Sequence, residues 1–163
     1  MHNNLWKQLA IGAAAGLAGT MAIQTLMKTH SKVSPKTLPP IKRDPGEHFL
    51  RKARQSLPWK VRKHIPYTAP ATGGKLLGAG YGMALGAVYA TARPRTQRTL
   101  LEGALLGIAA WAVAYLGWLP RTKLMKPVWK HKPAQIALPL AEHALYGIAT
   151  VGSYRWLKNH VED

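Results

Sequence analysis

Four ionisable side chains stand in stretches of this 163-residue sequence that otherwise carry almost no charge: Lys75, Glu102, Glu142 and His143. If such a stretch lies in lipid, a charge there is costly, and each one marks a candidate site. Glu142 falls nearly midway between Lys132 and Arg155, with His143 beside it. An adjacent carboxylate and imidazole can take up and pass on a proton, or hold a cation. Lys75 carries the opposite sign. Matching Tyr81 to Tyr146, an offset of 65, puts Lys75 two residues from the level of Glu142, or ~3 Å of helical rise. The expectation is a Lys75–Glu142 pair in the interior that fixes helix register or, with His143, relays a proton or ion. Glu102 lies near the end of its stretch, where a carboxylate at headgroup level needs no special role.

Other chemistry is thinly represented. A b-type haem asks for two axial imidazoles on facing helices, and His2, His30, His48, His64, His131 and His160 all lie in tails or loops. His143 is too deep to share an iron easily with His30. The chain has no Cys, so it has no disulfide, thiol nucleophile or thiolate metal site. It also lacks a Walker loop, GxSxG, HExxH and any carboxylate cluster. Neither cofactor nor metal is expected, and a hydrolase or phosphotransferase has no visible machinery.

The elements that must position these groups are apolar helices. Residues 8–27, 76–92 and 103–120 carry no charged side chain, and 133–154 carries only Glu142. About 20 helical residues cross a ~30 Å hydrocarbon core. Four spans fit, at about 6–28, 69–92, 99–120 and 134–156. The expected fold is all-α, an integral membrane four-helix bundle forming one domain over 1–163. A soluble helix would show a polar face at the helical period, and 103–120 has none. A cleaved signal peptide at the N-terminus would have a shorter apolar run.

The net charge of +17 would suggest nucleic acid in a soluble protein. Here the cations flank apolar spans, which favours anionic lipid headgroups as the partner. Lys7, Arg93, Arg95, Arg98, Arg155 and Lys158 fall on one side of the four spans. The loop after the first span carries eleven Lys and Arg, and loop 121–132 five more, sixteen in all. The positive-inside rule places those two loops in the cytoplasm and both termini outside. Within 29–68, Asp44-Pro45 reads as an N-cap and first helical residue. Phe49, Leu50, Ala53 and Leu57 follow on one face, with Arg51, Lys52 and Arg54 off it and Trp59 beyond. That pattern predicts an amphipathic helix lying on the lipid surface.

Small residues set the packing. Gly12, Gly16 and Gly19 line the first span, Gly78, Gly82 and Gly86 the second, and Gly103 and Gly107 the third. Such stripes let helix backbones approach closely, within the chain or against another subunit. A weak internal repeat matches Tyr81-Gly82 and Tyr89 to Tyr146-Gly147 and Tyr154, and Leu38-Pro39 to Leu119-Pro120. It predicts two helical hairpins in tandem. The leading functional expectation is a non-enzymatic accessory or assembly subunit, paired with itself or with other membrane subunits. The alternatives are a small proton or ion transporter or channel using Glu142 with Lys75 and His143, and a membrane haem carrier or enzyme.

The order of motifs is GAAAGLAGTMA at 12–22, Leu-Pro-Pro at 38–40, a span with a Tyr-Gly pair, EGALLG with a Trp at 102–111, and HALYG at 143–147. It resembles the YagU-like group of small bacterial inner-membrane proteins, over most of the chain apart from 41–68. The resemblance implies a multi-pass inner-membrane protein and implies no reaction. It also implies a His ahead of the second span's Tyr-Gly pair, where this sequence has Gly78.

Overall fold

The structure, a computed structural model, describes residues 2–33, 44–92 and 98–162. Lys36, Lys42, Arg43, Arg93 and Arg95 of the charge count, and Leu38, Pro39 and Pro40 of the repeat and motif, lie outside them. Every element among the described residues is helical. Four are long: α1 (His2–Val33), α4 (Ala69–Ala92), α5 (Thr99–Ala112) and α7 (Pro133–Glu162). Between α1 and α4 come α2 (Pro45–Ser56) and the short α3 (Trp59–Arg62). Helix α5 runs on through a π-helical turn, Val113–Trp118, into α6 (Leu119–Arg121), and a 3-10 turn, Val128–Lys130, precedes α7.

The long helices alternate in direction. Helix α1 lies between α4 and α7, and α7 lies between α1 and α5. The Lys7 ammonium donates to the Val161 carbonyl at 2.9 Å, so both chain termini share one end. At the other end, Lys52 of α2 donates to the Thr122 carbonyl at 2.8 Å, which brings the two basic loops together.

Glycine decides how closely the helices approach. A Cβ on Gly16 would fall on the Gly82 carbonyl, and one on Gly86 would fall on the Gly12 carbonyl and the Gly16 amide. The α5–α7 pair repeats this: a Cβ on Gly147 would meet the Gly103 carbonyl and the Gly107 amide. The equivalent glycines, Gly86 and Gly147, are 61 apart, against 65 for the Tyr-Gly pairs, so the second hairpin slips by about one turn. Gly19 completes the α1 stripe against Thr150 and Tyr146 of α7. Gly78 departs from expectation. Its open side faces the Asp44 carboxylate at 3.9 Å, and Gly74, one turn earlier, takes the backbone of α2 at Glu47.

Two helical stretches are long and apolar enough to cross a membrane, Leu5–Thr29 and Thr99–Arg121. Within their apolar windows, 33% and 39% of the residues are buried. Helices α4 and α7, at 24 and 30 residues, have the length, but α4 carries six glycines and α7 more polar groups. Outward on the long helices stand Leu76, Val88, Leu105, Ile108, Val113 and Leu116, all exposed.

Candidate functional site

Helix α7 carries a polar stripe into the interior. Glu142, Tyr146, Thr150 and Tyr154 recur every four residues, which puts them on one helix face, and all are buried, at 3%, 5%, 0% and 7% exposure. The stripe spans twelve residues, ~18 Å of rise. Tyr146 and Thr150 meet α1 at Gly19. The Tyr146 hydroxyl donates to the Gly82 carbonyl of α4 at 3.2 Å, and the Thr150 hydroxyl donates to the Tyr146 carbonyl at 2.9 Å. Tyr154 meets Tyr89 of α4 edge to face, with ring centres 5.4 Å apart. The matching halves of the sequence repeat therefore touch one another.

At the end near the termini the stripe reaches a buried carboxylate. Glu102, in the first turn of α5, accepts from the Tyr89 hydroxyl at 2.6 Å and from an Arg155 terminal nitrogen at 2.8 Å. A second Arg155 nitrogen donates to the Thr99 hydroxyl at 2.6 Å. The Glu102 side chain is only 4% exposed. One carboxylate thus ties α4, α5 and α7 together. This corrects the reading of Glu102 as a headgroup-level carboxylate without a role. Its partners lie 13 and 53 residues away, too far for sequence spacing to reveal.

Glu142 anchors the opposite end of the stripe, and the helices on either side of it are irregular. Pro139 lies inside α7, one turn before His143. Proline has no amide hydrogen and leaves the carbonyl four residues earlier without its helical donor. The His143 Nδ1 donates to the Pro139 carbonyl at 2.7 Å, which fixes its tautomer. Its ring stands edge-on to Tyr115, at 5.7 Å, and Tyr115 stacks on Trp111 at 5.6 Å. Tyr115 lies within the π-helical turn of α5. Pro120 removes the donor for the Leu116 carbonyl, and Arg121 replaces it, donating to Leu116 at 3.3 Å and to Gly117 at 3.0 Å. The buried indole Nε1 of Trp111 has no hydrogen-bond partner.

The structure does not bring Lys75 to Glu142. Glu142 is buried on α7, at 3% exposure, whereas Lys75 is exposed on α4. Gly12, Gly16, Gly82, Gly86, Gly103 and Gly107 are all spent on contacts within the chain. Among the described residues, no group of three or more His, Asp or Glu side chains converges to hold a metal ion.

The amphipathic helix forms as its cap predicts: the Asp44 carboxylate accepts from the Glu47 amide at 3.0 Å, with Pro45 following. Its packing differs from expectation. Leu50 reaches Gly73 of α4, so it packs on protein instead of reaching lipid. Arg51 pairs with Glu47 at 2.7 Å and lies over the Tyr67 ring; the hydrogen bond to Glu47 raises its pKa further above the ordinary guanidinium value. Arg54 donates to the Ile65 carbonyl at 3.0 Å. Phe49, Lys52 and Trp59 remain exposed.

No family model matches the chain, and no curated protein or solved structure matches it either.

Proposed function

We propose that this chain is a multi-pass, non-enzymatic membrane protein that moves protons along the inward stripe of α7, with Glu142 as the central carrier and Glu102 at the exit near the termini. The observation that carries the reading is the burial of Glu142, Tyr146, Thr150 and Tyr154 on one face, leading to the Glu102–Tyr89–Arg155 cluster. An ionisable group inside a span is expensive and is retained where it serves a path or a partner. Helix interruptions at the level of such a group are how membrane proteins open backbone toward a site, and Pro139 and the π-helical turn supply them here. All four long helices span the bilayer in this reading, with 29–68 and 121–132 cytoplasmic and both termini outside, in a bacterial inner membrane as the YagU-like motifs suggest. Lys75 has no part in the path.

The test is proton flux into liposomes holding the purified protein under an imposed potential. The wild type should conduct above empty liposomes, Glu142→Gln should lose at least about tenfold, and Lys75→Met should match the wild type. Equal flux from wild type and Glu142→Gln would overturn the proposal.

A second reading is an accessory subunit. The outward Leu, Val and Ile of α4 and α5 favour it, since the glycine faces are already occupied within the chain. Co-purification of a stoichiometric membrane partner in mild detergent would support it over transport.

A further inference from the structure

The end of the molecule that carries the basic loops holds a cavity of about 300 Å³, lined by His48, Arg51, Lys52, Gln55 and Lys123. Four of these come from α2 at i, i+3, i+4 and i+7, one helix face. The fifth approaches from the turn after α6. Lys123 has a φ of 58°, a left-handed conformation uncommon for a residue with a side chain. The turn is held in place on both sides. Lys52 donates to the Thr122 carbonyl at 2.8 Å, and the Thr122 hydroxyl donates to the Trp118 carbonyl at 2.8 Å. A strained residue is thus fixed where its side chain joins the α2 face.

All five lining side chains can donate hydrogen bonds, and none is acidic. Glu47 offsets the charge of Arg51, but Lys52 and Lys123 have no carboxylate in the lining. Bringing like charges around one space is unfavourable unless an anion enters it. The volume is at the small end for ligand sites, suited to a headgroup or a small ion. We infer that this cavity binds a phosphate group, supplied by an anionic lipid headgroup or by free phosphate. The lipid source rests on the membrane reading above; the cavity does not, because phosphate can be titrated without a bilayer.

The experiment uses the full chain in uncharged detergent, titrated separately with dioctanoyl phosphatidylglycerol and with inorganic phosphate. At least one probe should bind saturably. Lys52→Gln and Lys123→Gln should each weaken that binding by about fivefold, the effect of one Lys near an anionic surface. Lys60→Gln and Lys130→Gln, exposed at the same end but outside the cavity, should leave it unchanged. Binding of the lipid alone assigns the headgroup as ligand; binding of phosphate, with competition against the lipid, assigns the phosphate itself. Equal weakening by all four variants would mean diffuse attraction and overturn the inference. So would the absence of saturable binding by either probe.

Discussion

Glu102 and Glu142 are both buried carboxylates, yet their surroundings ask different things of them. Glu102 has a guanidinium and a phenol on its two oxygens, an arrangement that holds three helices in place. Removing one member of such a pair leaves the other uncompensated, at about 3 kcal/mol or more. Glu102→Gln and Arg155→Met should each lower the thermal midpoint in detergent, and the double variant should lose much less than the two together. Strictly additive losses would show that the pair contributes nothing. Lys75→Met, at an exposed position, should change stability by under about 0.5 kcal/mol in the same measurement. That Glu142 lies in the interior was legible, because it stands far from other charges within an apolar run. The outward place of Lys75 was not: sequence distance fixes a level along a helix, whereas the face that turns inward is set by packing. The burial of Glu102 was hidden for the same reason. Its place near the end of a run suggested exposure, and the groups that bury it arrive from α4 and α7.

Among the elements, the glycine pattern was legible in part. GxxxG spacing foretold close helix approach, and Gly12, Gly16, Gly103 and Gly107 meet backbone as such residues should. Spacing alone could not show where one contact ends and the next begins, so Gly78 was grouped with Gly82 and Gly86 although α2 docks a turn away at Gly74. A direct check follows from the geometry. Gly107→Val would drive its side chain into the His143 backbone and should cost about 2 kcal/mol or more, read as a lower thermal midpoint. Gly80 has nothing within 4 Å, so Gly80→Ala should be neutral or stabilise by up to about 1 kcal/mol. A Gly107→Val protein as stable as Gly80→Ala would contradict the α5–α7 contact. The cap of α2 was legible because Asp-Pro has a local meaning. The π-helical turn had no such signal, since it depends on how α5 accommodates Tyr115 against α7 and how Arg121 replaces the donor that Pro120 lacks.

For the whole molecule, large apolar side chains stand outward on the long helices, around an interior that also buries Thr20, Glu102, Glu142 and Thr150, with cations gathered at the end that carries the two basic loops. Outward apolar surface is what lipid solvation requires, and it underlies the proposal that all four long helices cross a bilayer. The absence of cysteine makes the proposal easy to test, because a single introduced thiol is the only one in the chain. His160, near the C-terminus, and Lys126, in the second basic loop, are both exposed and lie toward opposite ends. The decisive measurement is labelling of His160→Cys and Lys126→Cys in intact spheroplasts with a membrane-impermeant maleimide. His160→Cys should react at once and Lys126→Cys only after the membrane is permeabilised. Reaction of both thiols before permeabilisation, or of Lys126→Cys alone, would contradict the account.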